Sequence, residues 1–224
     1  MTVYDIAAQL PPIDVLRDRC KALAVLDRIL DGGEPYYAYT TQWGGDEAAL
    51  MSNGSGDEWA VVFTAQGAFI RVFDHESPMS PYRDEDRELW PGLLDGVPAK
   101  FRPQVEEPAF GDEEGQFLAT AVLWRGAGDD RWHAGDGIVF PPSRGPYDTV
   151  DGSGLLAILL DDIVDRFAEF AADYYEIELD RAAVEHIVAH RPLTEAVVQA
   201  LHSSATVAEL RTDVATIGYP IQTP

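Results

Sequence analysis

The tetrapeptide Asp74-His75-Glu76-Ser77 carries the densest set of reactive side chains in the sequence. It follows the apolar run Ala68–Phe73, which predicts a β-strand, and it leads into a loop that contains two prolines. Loops at strand ends are common sites of binding and catalytic groups. Because side chains alternate along an extended chain, Asp74 and Glu76 are expected on one face and His75 on the other. Two carboxylates on one face can bind a cation or act as a general acid and base.

The same tetrapeptide also has a purely structural interpretation. Asp and Ser side chains cap turns, and a histidine between carboxylates can hold a loop in place through hydrogen bonds. No second motif supports catalysis, so the sequence leaves open whether the protein is an enzyme. The catalytic alternative is a small hydrolase or metal-dependent enzyme centred on Asp74, His75 and Glu76, with His133 or Glu85 as further candidates.

A second candidate is the pair His186 and His190, whose spacing of four places two imidazoles on one side of a helix. In the metalloprotease helix a glutamate directly follows the first histidine, but here that position is Ile187. Both histidines are expected to point away from the apolar arc of this helix, and therefore into solvent. We predict that the pair binds no metal, and the sequence predicts no cofactor.

The charge of the chain limits the classes of partner. Asp and Glu number 39 against 16 Lys and Arg, which gives a net charge of −23 over 224 residues. Such a charge repels phosphate backbones and anionic lipid, so we expect neither a nucleic acid nor a membrane as partner. It attracts basic proteins and metal cations. Solubility alone is the other explanation of the acidity, and composition does not choose between them.

The most regular surface feature is a stripe of acids near the C-terminus. Apolar residues recur at steps of three and four from Leu156 to Tyr174, which predicts one long helix with a core-facing side. Like charges at i,i+4 destabilise a helix by roughly 0.2–0.5 kcal/mol each. A binding surface for a basic protein would explain why the acids are present despite this cost. The alternative is that they form an ordinary solvated face. The candidate binding residues are Asp162, Asp165, Glu169, Asp173 and Glu176.

The order of the patterns indicates the fold class. Strand patterns come first and helical patterns last, which favours an α+β fold with a central, mostly antiparallel sheet, an N-terminal helix and a C-terminal helical third. We predict a single domain, 1–224, with a helix over 13–30, the sheet within about 36–140 and helices within about 151–216. Near the end, Thr206 and Glu209 have the spacing of a capping box.

Two further features bear on the compartment. The N-terminus has no basic segment before an apolar run, and no apolar stretch approaches the roughly 20 residues of a membrane helix. The only cysteine, Cys20, excludes an internal disulfide. We therefore expect a cytoplasmic protein.

Four strings, Trp43–Glu47, Ser52–Trp59, Phe73–Pro81 and Leu89–Gly92, resemble those of an uncharacterised family of bacterial proteins without an assigned activity. The resemblance extends over much of residues 36–180 and implies no functional residues. In size, acidity and α+β composition the chain is also similar to small acidic immunity-type proteins, which neutralise toxins without catalysis. The leading expectation is therefore a non-enzymatic binding or immunity-like protein with an acidic surface, whose oligomeric state the sequence leaves open.

Overall fold

A computed structural model of the protein describes residues 1–30, 33–142, 145 and 149–222. The fold is α+β, as predicted, and the strand pairs β1–β2, β3–β4, β4–β5 and β5–β6 are antiparallel. The helices are α1 (Val3–Gln9), α2 (Ile13–Leu30), α3 (Arg102–Val105), α4 (Ile163–Tyr174), α5 (Arg181–Val188), α6 (Glu195–Leu201) and α7 (Val207–Ile217). The strands are β1 (Tyr37–Trp43), β2 (Asp46–Ser52), β3 (Glu58–Thr64), β4 (Gly67–Phe73), β5 (Ala121–Gly126) and β6 (His133–Ala134).

The chain divides into two compact units. The first comprises Met1–Ile13 and Ser52–Ala157, and the second comprises Asp14–Met51 and Ile158–Pro224. The expectation of a single domain stays a prediction. Within residues 1–30, 33–142, 145 and 149–222, no helix has both the length and the apolar character needed to cross a membrane.

The first unit contains the meander of β3 to β6. Strand β4 is buried along its whole length, as its apolar sequence requires. The turn into β4 needs glycine, because a Cβ on Gly67 would lie 2.1 Å from the carbonyl oxygen of Arg125. A buried cluster that includes Phe69, Phe101 and Val122 forms part of the core. This meander carries the Asp74–Ser77 loop at the end of β4.

The second unit contains α2, the hairpin of β1 and β2, and the C-terminal helices. Helix α2 has the bounds that its apolar periodicity predicts. The capping box at the start of α7 is also present, since the Thr206 hydroxyl accepts from the Glu209 N–H and the Glu209 carboxylate accepts from Thr206. Helix α7 lies along β1, where the Thr41 hydroxyl donates to the carbonyl of Thr216 at 3.1 Å.

The long helix expected from Leu156 to Tyr174 is interrupted. A 3₁₀ helix occupies Ser153–Leu159, and α4 begins only at Ile163. The guanidinium of Arg19 donates to the carbonyl of Leu159 at 2.7 Å and to the carboxylate of Asp161 at 2.8 Å. A side chain from α2 therefore takes the place of a backbone donor at the break.

Candidate functional site

The ends of β3 and β4 bring three chemically active side chains together. In the antiparallel register Glu58 pairs with Phe73. Asp57, which precedes β3, and Asp74, which follows β4, therefore lie at the same end of the hairpin, and His75 is the next residue. One potential ligand atom from each of Asp57, Asp74 and His75 lies within 4.8 Å of the others. We call these three residues the Asp–His cluster.

The closest contact in the Asp–His cluster joins His75 to Asp57. The ring Nδ1 of His75 lies 2.8 Å from Oδ1 of Asp57, and the same oxygen accepts the backbone N–H of His75 at 3.1 Å. The other carboxylate oxygen accepts from the Asn53 amide at 2.7 Å. A Cβ on Gly56 would lie 3.3 Å from the imidazole, so the turn before β3 packs closely on the ring. Asp57 thus orients His75 through both its backbone and its side chain.

Asp74 has a different role in the loop. Its Oδ1 accepts the backbone N–H groups of Glu76 and Ser77, each at 3.0 Å, which is the turn-capping function of an aspartate. Its own N–H donates to the hydroxyl of Thr120 at 3.2 Å. Gly152 approaches so closely that a Cβ there would lie 2.4 Å from the Cβ of Asp74. Hydrogen bonds therefore fix Oδ1 of the carboxylate, whereas Oδ2 has no hydrogen-bond donor among the described residues.

The charges in the Asp–His cluster shift one another's pKa values. The hydrogen bond to Asp57 raises the pKa of His75, with further contributions from Asp57, Glu76 and Asp74. Burial alone would raise the pKa of Asp57, but the hydrogen bonds from His75 and Asn53 outweigh it and lower that pKa. Burial, and then the charge of Asp57, raise the pKa of Asp74. The cluster therefore has a histidine that loses its proton at a higher pH than usual and a carboxylate that is easier to protonate than usual.

The predicted residues of the loop differ in their exposure and in their contacts. Glu76 is exposed, and its backbone contributes to the turn, whereas the second carboxylate beside His75 comes from Asp57. Sequence reasoning missed Asp57, although the pairing of the two predicted strands would have placed it opposite Asp74. Ser77 is buried and donates to the carbonyl of Val150 at 2.6 Å, which anchors the loop. The further candidate His133 lies 3.5 Å from a carboxylate oxygen of Asp129.

The pair His186 and His190 does not share a helical face. Helix α5 ends at Val188, so His190 lies beyond it with a positive φ of 55°. The Nε2 of His186 lies 3.0 Å from the carbonyl oxygen of Pro192. The ring of His190 packs edge-on against Tyr219, with 4.6 Å between centroids. The expectation that both side chains project from one exposed helical side therefore differs from the structure.

The acidic stripe is shorter on α4 than its sequence spacing suggests. Asp162 is the N-cap residue, Glu176 lies beyond the C-cap residue Tyr175, and only the other three acids are within the helix. Asp162 pairs with Arg166 at 2.5 Å, and Asp165 pairs with Arg181. These hydrogen bonds hold the pKa values of both carboxyls below their usual range. Two of the five charges are thus balanced by arginines.

Each of the other three acids is exposed and directly adjoins an aromatic residue in the sequence. Tyr174 is 54% exposed and stacks on Phe170, with 5.3 Å between centroids. The ring of Tyr36 meets both, at 4.7 Å from Phe170 and 5.0 Å from Tyr174. No ion pair involves the remaining acids within the described part of the chain. We call this surface the acidic–aromatic face and define it by Tyr36, Glu169, Phe170, Asp173, Tyr174 and Glu176.

Comparisons with protein-family models, curated proteins and solved structures returned no match. The resemblance to an uncharacterised bacterial family and the likeness to immunity-type proteins therefore both stay predictions.

Proposed function

We propose that the protein is a non-enzymatic, immunity-like binding protein of the cytoplasm, which holds a basic segment of a partner protein on the acidic–aromatic face. The observation that carries this proposal is the exposed Tyr174 ring, stacked on Phe170 and flanked by acids without an ion-pair partner among the described residues. An arginine suits such a surface, because its guanidinium stacks on aromatic rings and also pairs with carboxylates.

The energetics of α4 support a role for these acids. Glu169 and Asp173 are four residues apart and repel each other, which opposes helix formation. Asp173 and Glu176 lie at the C-terminal end, where the helix dipole disfavours negative charge. Glu176 also has a positive φ of 57°, a conformation that costs a non-glycine residue about 1 kcal/mol or more. A cationic ligand would offset the repulsion between the acids and their unfavourable interaction with the helix dipole.

The test compares two variants that remove the same charge. The face variant carries Glu169→Gln, Asp173→Asn and Glu176→Gln. The control carries Glu85→Gln, Asp86→Asn and Glu114→Gln, three exposed acids of the other unit. The probe is a fluorescent nona-arginine peptide at low salt, followed by fluorescence anisotropy. We expect about tenfold weaker binding for the face variant, equivalent to about 1.4 kcal/mol, and a much smaller loss for the control. Equal losses of affinity in the two variants would show that binding depends on net charge alone, which would contradict the proposal.

The aromatic part of the face has its own test. Tyr174→Leu keeps an apolar side chain but removes the π face that attracts a cation. We expect its affinity for nona-arginine to fall by an amount equivalent to roughly 0.5–1 kcal/mol, the value for exposed cation–π pairs. Nona-lysine should lose less, since an ammonium group stacks less well on a ring than a guanidinium does. Unchanged affinity for both peptides would show that the Tyr174 ring does not contribute to binding.

The hydrogen bond between Asp57 and His75 favours a second candidate function, acid–base hydrolysis in the Asp74–Glu76 loop. A carboxylate that orients an imidazole through Nδ1 leaves Nε2 to act as a general base, with Asp74 as the neighbouring acid. Hydrolysis of p-nitrophenyl acetate and p-nitrophenyl phosphate would be measured for the parent protein and for His75→Gln. Turnover that disappears in the variant would support this candidate, and equal background rates would exclude it for these substrates.

A further inference from the structure

The Asp–His cluster contains more donor atoms than its own hydrogen bonds use. Oδ2 of Asp74 and Nε2 of His75 have no hydrogen-bond partner among the described residues. Both residues are accessible to solvent, because the His75 side chain is 36% exposed and Asp74 is only partly buried. Asp57 is deeper, with a side chain 20% exposed, and both of its oxygens already accept hydrogen bonds, so an ion held between Asp57 and the Nδ1 of His75 would replace the contact that joins them. One potential ligand atom from each of the three residues lies within 4.8 Å of the others, at the end of the β3–β4 hairpin.

From this convergence we propose that Asp57, Asp74 and His75 form a binding site for one divalent transition-metal ion, with Zn²⁺ as the representative ion. An imidazole together with two carboxylates suits a borderline ion better than Ca²⁺ or Mg²⁺, which prefer oxygen donors alone. Three protein ligands leave a coordination position for water, as in sites that activate a water molecule. The site shares no residue with the acidic–aromatic face, so the inference does not depend on the proposed function.

The surroundings of Asp74 favour a cation. Its carboxylate is partly buried, and one of its oxygens lies within 4.8 Å of a carboxylate oxygen of Asp57. Two carboxylates this close repel each other, and a metal ion in contact with both would offset that repulsion. Gly152 lies against Asp74, where a Cβ would be 3.3 Å from the free Oδ2. Glycine at this position therefore keeps the space beside that oxygen open.

Isothermal titration calorimetry of the full chain without a tag, with Zn²⁺ as the only ligand, tests the site. We expect one equivalent to bind. Asp74→Asn keeps the Oδ1 acceptor that caps the turn, so the variant should fold, but its affinity should fall at least about tenfold. His75→Gln should show a similar loss. His186→Gln is the matched control, because it removes an imidazole outside the cluster, and it should bind like the parent.

Three results would overturn the inference. The first is the absence of saturable Zn²⁺ binding by the parent protein. The second is unchanged affinity in both Asp74→Asn and His75→Gln, with circular dichroism showing that each is folded. The third is complete displacement of Zn²⁺ by millimolar Mg²⁺, which would indicate diffuse attraction to carboxylates. The triple variant of the acidic–aromatic face should retain Zn²⁺ affinity, which separates this site from the proposed peptide surface.

Discussion

His75 and Asp57 lie 18 positions apart in the chain, yet the ring Nδ1 of one is 2.8 Å from the carboxylate Oδ1 of the other. Neither residue belongs to a strand, and the β3–β4 pairing between them brings the two together. The carboxylate also accepts the backbone N–H of His75. This double contact fixes the start of the loop in which Asp74 and Glu76 also lie.

The contribution of this pair to stability should depend on pH. The pKa of His75 is raised in the folded protein, so its contribution is complete below the ordinary value of about 6.5 and is lost as pH rises through the raised pKa. The pKa of Asp57 is lowered, so its contribution is present above about 3.9 and is lost as pH falls through the lowered pKa. The pair therefore stabilises most between about pH 4 and 6.5.

Urea unfolding at several pH values between 5.5 and 9 measures this effect. The difference in unfolding free energy between the parent and His75→Gln should narrow as pH rises, because the neutral imidazole interacts less strongly with Asp57. In an Asp57→Asn background the same difference should be nearly independent of pH. A constant difference in both backgrounds would show that the ion pair does not stabilise the fold.

Gly152 should tolerate alanine less well than Gly137 does. Their φ angles are nearly equal, 69° and 72°, so each alanine incurs the backbone cost of about 1 kcal/mol. A Cβ at Gly152 would also meet Asp74 at 2.4 Å, whereas nothing lies within 4 Å at Gly137. We expect a total of about 2–4 kcal/mol for Gly152→Ala, because overpacking adds about 1–3. Equal denaturant midpoints for the two variants would contradict the close approach at the Asp–His cluster.

Phe167 should be a major contributor to the core of the second unit. Its side chain is 0% exposed, and its ring contacts Tyr37 and Phe170. Phe167→Ala should lower the unfolding free energy by about 3–5 kcal/mol, since it leaves a cavity. Val15→Ala, at an exposed position of the same unit, should change it by less than about 0.5 kcal/mol. Similar effects of the two changes in chemical denaturation would show that the core-facing side of α4 is wrongly placed.

Arg71 is a buried cation that depends on its partners. Its side chain is 3% exposed, and it donates to the carbonyl of Leu118 and to Glu58, the latter at 2.7 Å. Burial lowers the pKa of Arg71, which indicates that the charge is held against a desolvation penalty. Glu58→Gln should therefore cost about 1–3 kcal/mol, whereas Glu76→Gln at an exposed position should cost little. Thermal unfolding of both variants distinguishes these outcomes, and an unaffected Glu58→Gln variant would contradict a stabilising pair.

Much of the secondary structure could be predicted because it depends on neighbours in sequence. The apolar periodicity of α2 and the capping box of α7 are local patterns, and the structure reproduces both. The run of apolar residues in β4 likewise indicates a strand buried on both faces. In each case the residues that determine the element lie within a few positions of one another.

The partners of the charged side chains could not be predicted, because the folded chain sets them over long separations. Arg19 reaches Leu159 and Asp161, 140 and 142 positions away, at the break before α4. Arg181 balances Asp165, which shortens the acidic stripe that the sequence presents as continuous. Sequence spacing reports which face of an element a charge occupies, but only tertiary packing brings an opposite charge to that face. For the same reason the sequence identified His75 as a chemical candidate, and the pairing of β3 with β4 decided that its partner is Asp57.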